Sequence, residues 1–295
     1  MDKIAVIGAG TMGSGIAQVL AVAGFPVSVT DSDTAAAQRG LESISRSLDR
    51  QIKKGTIDAD LKEQTLLRIA IAPDLLTAVS DARTVIEAVP EVQELKFKLF
   101  RRLDEITASD CLLLSNTSSI SITGLAAQTR RPDRVAGIHF MNPVPLMPLV
   151  EVVRGQQTSQ QTADRVIGFA RELGKEPVLV RDFPGFVANR ILMPMINEAV
   201  YTLQEGVAGI AEIDVVMKLG MSHPMGPLLL ADYIGLDVCL SILRVLHEGF
   251  GQPKYAPAPL LVNLVQAGRM GAKSGRGFYR WSDEGKAIAP AEIFG

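Results

Sequence analysis

At 295 residues, with 47% apolar and 21% charged residues, the chain has room for two domains around large cores, and its net charge of −2 leaves no basic excess for nucleic acid. Its two cysteines, Cys111 and Cys239, lie in apolar runs and predict buried, reduced thiols. The first strand begins at residue 4, which leaves no space for a signal peptide, and no uninterrupted apolar run approaches the roughly 18 residues a membrane helix needs, so a cytoplasmic protein is expected.

The chain opens on a short apolar run, residues 4–7, which reads as a buried strand. Gly8, Gly10 and Gly13 follow at GxGxxG spacing, enclosing Thr11 and Met12, and Ala17, Val19 and Leu20 continue at helical spacing. The first glycine permits a tight turn, the second admits a pyrophosphate to the backbone, and the third lets helix pack on strand; the helix N-terminus then faces the phosphates. A second apolar strand, residues 27–30, ends at Asp31, about 20 residues on, where an acid can accept hydrogen bonds from both ribose hydroxyls of NAD. No arginine immediately follows it, so NAD is favoured, with FAD and NADP left open.

Residues 34–70 form a helical arm longer than a dinucleotide fold requires, with Leu41, Ile44, Leu48 and Ile52 on one face and a second short helix from 59 to 68. Its charges Arg50, Lys53 and Lys54 read as a solvated face. Strands follow at 69–72 and 84–89, a helix at 93–106, a strand at 111–116, a short helix at 122–127, and strands at 135–140 and 149–153. A helix at 162–173 and a strand at 177–180 complete the series. This alternation predicts an α/β fold: a Rossmann-type, doubly wound, mostly parallel sheet over residues 1–183. Beyond 183 only helices are read, roughly at 186–204, 211–219, 227–248 and 257–267, so residues 184–295 are expected to form an all-α domain. The crowding of Ile191, Leu192, Met193, Met195 and Ile196 requires burial on more than one face.

Open α/β sheets bind ligands beyond the C-terminal ends of their strands, where Glu87, Asn116, Ser118, His139 and Asn142 cluster. Asn116 is assigned to the cofactor side of that edge. Glu151 lies twelve residues after His139 on the next strand-like segment. Were the two strands neighbours, the carboxylate would fix the imidazole tautomer and raise the basicity of its other nitrogen, as a general base for an alcohol requires. The competing reading, a core histidine and an edge-strand glutamate, is equally good on these residues alone. Ser118 and Asn189 could hydrogen-bond the alcohol oxygen. His223 reads as a turn residue and His247 as a helix-surface residue; with no HxxxH or CxxC spacing, no metal is expected.

Eight motifs occur together and in order. They are residues 8–13, Ser115-Asn-Thr-Ser-Ser119, His139-Phe-Met-Asn-Pro-Val-Pro145, Pro184-Gly-Phe-Val-Ala-Asn-Arg190, Asn197-Glu-Ala199, Asp214-Val-Val-Met-Lys-Leu-Gly220, Pro224-Met-Gly-Pro227 and Lys273-Ser-Gly-Arg-Gly-Phe-Tyr279. In this the chain resembles the short-chain L-3-hydroxyacyl-CoA dehydrogenases, especially bacterial 3-hydroxybutyryl-CoA dehydrogenases, from Ile4 to Tyr279. The resemblance implies NAD-dependent, reversible oxidation of a (3S)-hydroxyacyl-CoA to the 3-ketoacyl-CoA. It places the catalytic histidine on His139, its orienting glutamate on Glu151, the substrate-contacting serine on Ser118 and the second-domain asparagine on Asn189. Cofactor contacts fall on the loop from Gly8 to Gly13, Asp31, Glu91, Lys96, Asn142 and Lys273, and CoA contacts on Ser47 and Lys54. A homodimer through the helical domain is implied as well.

Two departures stand out: Met141 where the family has Phe, and Pro148 where it has Lys. The pair at Pro90-Glu-Val-Gln also lacks the common Glu-Asn. Related branches act on 3-hydroxyadipyl-CoA or on L-gulonate, and these remain alternatives, as does a dinucleotide-binding protein without catalysis.

Overall fold

Strand β1 (Ile4–Ile7) is buried along its whole length, as are β4 (Thr84–Glu87), β5 (Leu112–Ser115) and β6 (Val135–Phe140). Runs of this kind suit a sheet covered on both faces, where alternation would put polar groups in a core. The computed structural model describes residues 1–293 and divides into two compact units, one ending at Phe183 and one starting at Pro184.

In the first unit, β2 (Val27–Thr30), β3 (Ile69–Ile71), β7 (Leu149–Arg154) and β8 (Glu176–Arg181) complete an eight-stranded sheet in the order β3-β2-β1-β4-β5-β6-β7-β8. All neighbours are parallel except β6 and β7, which run antiparallel. Helices α1 (Thr11–Val22), α2 (Thr34–Lys53), α3 (Ala59–Leu67), α4 (Leu75–Val79), α5 (Gln93–Ile106), α6 (Ile122–Ala126) and α7 (Gln160–Glu172) connect the strands. The α/β expectation holds, and α4 is an addition to it. On α5, Phe100 and Leu103 are fully buried, each contributing about 1.5–3 kcal/mol by leaving water.

The arm, α2, begins at Asp33, whose side chain accepts from the N–H of Ala36 at 2.7 Å, and ends with Arg50 and Lys53 on its negative dipole end. Its buried stripe is Ala37, Gly40, Ile44 and Leu48. A Cβ at Gly40 would lie 2.8 Å from the carbonyl oxygen of Ala9 and 2.9 Å from Ser14 Oγ, so a glycine there is what draws the arm against the loop after β1.

In the second unit, α8 (Ala188–Gln204), α9 (Ile210–Gly220), α10 (Pro227–Ile234), α11 (Leu236–Phe250) and α12 (Pro259–Gln266) surround one core. Two expectations are corrected. The helix expected over 227–248 is two helices, because Gly235 stands between them at φ 101°, which no helix can pass. The unit is also not all helical: β9 (Tyr279–Trp281) and β10 (Ala287–Pro290) form an antiparallel hairpin. Its anchor is Asp232 on α10, 1% exposed, which accepts from the N–H groups of Phe278 and Tyr279 and from Trp281 Nε1, all at 2.9 Å. A carboxylate buried in this way lay outside the reach of strand periodicity.

Both cysteines are buried and free, and burial pushes the thiols up, to about 11 for Cys111 and about 12 for Cys239. Among the described residues no helix is long and apolar enough to cross a membrane.

Replacing Asp232 with alanine strands three donors. At the low end of the cost of an unmet buried group, Asp232→Ala should lower the unfolding free energy by about 3 kcal/mol, read as a shift in the urea midpoint.

Candidate active site

The sheet changes winding direction between β1 and β4, and the loops leaving those two strands flank the crevice where open α/β sheets hold dinucleotides. Gly8 adopts φ 103°, with the place of a Cβ only 2.5 Å from the carbonyl oxygen of Ala88. At Gly13 a Cβ would meet the Gly8 carbonyl oxygen at 1.8 Å, so these two glycines serve the chain's own packing. Gly10 differs, since a Cβ there would touch no protein atom within 4 Å. What a side chain at Gly10 would obstruct is the approach of a ligand to the backbone. Thr11, Met12 and Gly13 form the first turn of α1, whose N–H groups have no partner within the helix and so suit a pyrophosphate.

Asp31 follows β2 and is tied back to this loop. Its Oδ2 accepts from the N–H of Ala9 at 2.6 Å, and its Oδ1 accepts from the N–H and hydroxyl of Ser32 at 2.6 and 3.0 Å. Partial burial works to raise the carboxyl, but these bonds and the nearby Arg39 outweigh it and hold its pKa below 3.8. Asp31 is therefore an ionised acceptor beside the glycine loop at neutral pH, which fits a ribose and disfavours a phosphate on it.

At the end of β4 lies a buried charge network. Lys96, 1% exposed, places Nζ 2.5 Å from Glu87 Oε1 and 3.2 Å from Glu91 Oε2, and donates to the carbonyl of Val89 at 3.1 Å. Burial raises the Glu87 pKa despite Lys96, whereas the partly exposed Glu91 is held down, against its desolvation, by Lys96 and by donors from the next loop. Those donors are the turn after β5. Thr117 Oγ1 and the N–H groups of Ser118 and Ser119 all reach Glu91 Oε1, at 2.5, 2.9 and 3.1 Å, and Ser118 Oγ lies 3.3 Å from it. Asn116, before that turn, accepts from the N–H of Phe140 at 2.9 Å and so links β5 to the end of β6.

His139 and Glu151 are opposite one another in the β6–β7 register. His139 Nδ1 lies 2.8 Å from Glu151 Oε2, with the residues 7% and 2% exposed. An antiparallel step puts residues twelve apart in sequence side by side, so the imidazole meets the carboxylate across the two strands. A carboxylate at Nδ1 selects the tautomer in which Nε2 carries the basic lone pair. Lys175, at the entry to β8, donates to the carbonyls of Val144 and Met147 at 2.5 and 2.8 Å and fastens the loop between β6 and β7, with burial lowering its pKa. Pro148 ends that loop exposed, its carbonyl accepting from the N–H of Glu176 at 2.8 Å.

A cavity of 140 Å³ brings together Thr11 and Gln18 of α1, Ser47 and Arg50 of α2, and Asn142. Of the two residues assigned to CoA, Ser47 lines it. Lys54 does not: it caps the C-terminus of α2, exposed, about 10 Å farther along the helix axis. Gln18 and Arg50 were not assigned to a site by the sequence. In the second unit Asn189 stands in the first turn of α8, after Gly185 and Phe186 at φ 72° and 50°, and Lys273 donates to Asp237 at 2.6 Å.

Two family models match the chain, the NAD-binding domain of 3-hydroxyacyl-CoA dehydrogenase over residues 3–183 and its C-terminal domain over residues 185–281. The chain belongs to the 3-hydroxyacyl-CoA dehydrogenase family. It is 53% identical to a probable 3-hydroxybutyryl-CoA dehydrogenase of Bacillus subtilis, over 96% of this chain and 99% of that one. It is 42% identical to the mitochondrial hydroxyacyl-coenzyme A dehydrogenase of Sus scrofa, over 95% and 91%. The crystal structure of (S)-3-hydroxybutyryl-CoA dehydrogenase from Ralstonia eutropha superposes with a TM-score of 0.92 at 48% identity, covering 96% of this chain and all of that one.

This 3-hydroxyacyl-CoA dehydrogenase is thus an NAD-dependent oxidoreductase, and the open Gly10, the unpaired first turn of α1 and the ionised Asp31 fit that cofactor. Lys175 carries no motif in the sequence; Glu87 and Ser115 stood at the polar ends of apolar strands, Ser115 within the 115–119 motif, and neither was given a role there.

Asp31→Ala should raise the KM for NAD and bring the NAD/NADP ratio of kcat/KM towards one, and an unchanged ratio would remove Asp31 from cofactor selection. The stability that Asp31 contributes through the N–H of Ala9 is present above the ordinary aspartate range and is lost as pH falls through its lowered folded pKa.

Proposed function

We propose that this dehydrogenase interconverts a short (3S)-hydroxyacyl-CoA, with 3-hydroxybutyryl-CoA as the leading substrate, and the corresponding 3-ketoacyl-CoA, with His139 as the general base. The observation that carries the reading is the His139–Glu151 pair, 2.8 Å apart across β6 and β7. Oxidation of a secondary alcohol requires loss of the hydroxyl proton as hydride leaves the carbinol carbon. His139 Nε2 takes that proton, Glu151 stabilises the resulting imidazolium, and the same nitrogen returns the proton in reduction. NAD, when bound, accepts the hydride. Ser118 and Asn189 are assigned to the alcohol or carbonyl oxygen, and Ser47 to the CoA side through the cavity it lines.

The choice of a short acyl-CoA is supported by the names of the Bacillus subtilis and Ralstonia eutropha relatives. The pair of His139 and Glu151 speaks against a dinucleotide-binding protein without turnover. In the second unit Val215, Val216 and Leu219 on α9 are 50%, 58% and 81% exposed, and Ile191 on α8 is 68% exposed, which supports a homodimer through helical surfaces. A cytoplasmic location is proposed with it.

The direct assay follows loss of NADH absorbance with acetoacetyl-CoA, alongside a panel of other 3-keto acids with and without CoA. Fast turnover of acetoacetyl-CoA is expected. Turnover only of a CoA-free acid would overturn the substrate class. His139→Ala should lower kcat by about 10² to 10⁴-fold while leaving NAD affinity near that of the unaltered enzyme; retained turnover would rule out the general-base role.

A further inference from the structure

Glu87 ends β4 with no exposed surface, and no step above uses it. A carboxylate so buried must satisfy both oxygens within the protein. Its Oε1 accepts from the N–H of Val89 at 2.7 Å, and two further routes from the carboxylate end on the same turn. On one route, Oε1 lies 2.5 Å from Lys96 Nζ. Lys96 in turn holds Glu91, and Glu91 Oε1 accepts from Thr117 Oγ1 and from the N–H groups of Ser118 and Ser119. On the other route, Oε2 accepts from Ser115 Oγ at 2.5 Å, and that oxygen accepts from the N–H of Thr117 at 3.1 Å. Both routes thus converge on residues 117–119, on either side of Ser118.

We propose that Glu87 is a positioning residue of this dehydrogenase: through Lys96 and Glu91 on one side and Ser115 on the other, it sets where Ser118 stands. This rests on the reading of Ser118 as a substrate contact. The role needs the charge of Glu87 as well as its volume. A glutamine fills the same space and can accept from Ser115, but it leaves Lys96 with Glu91 as its only anionic partner, which frees Lys96 to shift and carry Glu91 and the turn with it. A carboxylate that merely filled the core would be replaced by glutamine without consequence for turnover.

The test is a double-mutant cycle on Glu87→Gln and Ser118→Ala, with acetoacetyl-CoA and NADH. Expected are a kcat loss of about tenfold or more for Glu87→Gln with the KM for acetoacetyl-CoA changed less than about threefold, and a double variant no slower than Ser118→Ala by more than about twofold. Losses that multiply in the double variant, or an unchanged kcat in Glu87→Gln, overturn the proposal. An unchanged kcat in Ser118→Ala removes the role of Ser118 and this inference with it, whereas multiplying losses remove the inference alone. Should Glu87→Gln fail to fold by circular dichroism, Ser115→Ala replaces it. That variant breaks only the second route, and its smaller loss of about threefold should likewise disappear in the Ser118→Ala background.

Discussion

The antiparallel pairing of β6 with β7 is the constraint on which the proposed chemistry depends. Every other neighbouring pair in the sheet is parallel, and a parallel crossover needs a dozen or more residues before a strand can return. Reversing direction at this one step lets a strand come back within a loop, so that His139 and Glu151 face each other as direct cross-strand partners. A slip by one residue would exchange the two buried faces of β7, moving Val150 and Val152 to the side of Glu151 and Val153 and taking the carboxylate away from His139. The same hydrophobic pattern that holds the sheet together therefore sets the separation of imidazole and carboxylate.

Around that pair the molecule repeatedly buries charge, which costs several kcal/mol per ion unless it is matched. Lys96 is matched by Glu87 and Glu91, and Asp31 by the backbone of its own turn and by Ala9. Among the described residues Lys175 is matched by the two loop carbonyls of Val144 and Met147. Such groups are poor sources of net stability, but they oblige the loops that satisfy them to adopt one arrangement. The loops so constrained are those leaving β1, β4, β5 and β6, the ones that carry Gly10, Glu91, Ser118 and Asn142. In the second unit Asp232 does the same for a hairpin, tying it to α10.

The clearest parts of the site in the sequence were those built from neighbours along the chain. The glycine loop and Asp31 are such parts, since spacing within one βαβ unit dictates their geometry. The arm was legible from its apolar stripe, although Leu41 and Ile52 prove only half-buried, while Gly40 supplies the close contact with Ala9. The break at Gly235 was misread as a continuous helix because the apolar pattern runs through it, and a single glycine inside such a pattern does not show which φ it adopts. The hairpin of β9 and β10 was missed because its strands are three and four residues long and lie on a buried aspartate, not on a hydrophobic face of their own.

The sequence by itself determined the α/β class, the helical second part and the dinucleotide loop, because periodicity and local spacing act over a turn or a strand, and its eight motifs in order carried the resemblance to the family. Tertiary structure alone decided that His139 meets Glu151, that Ser47 but not Lys54 lines the small cavity, and that Glu87 and Lys96 are buried beneath the turn of Ser118. Each of these is a contact between segments that are not adjacent along the chain, or a burial that such contacts produce. Strand order, direction and helix packing set them, and no residue pattern within a single segment encodes which side chain it will face.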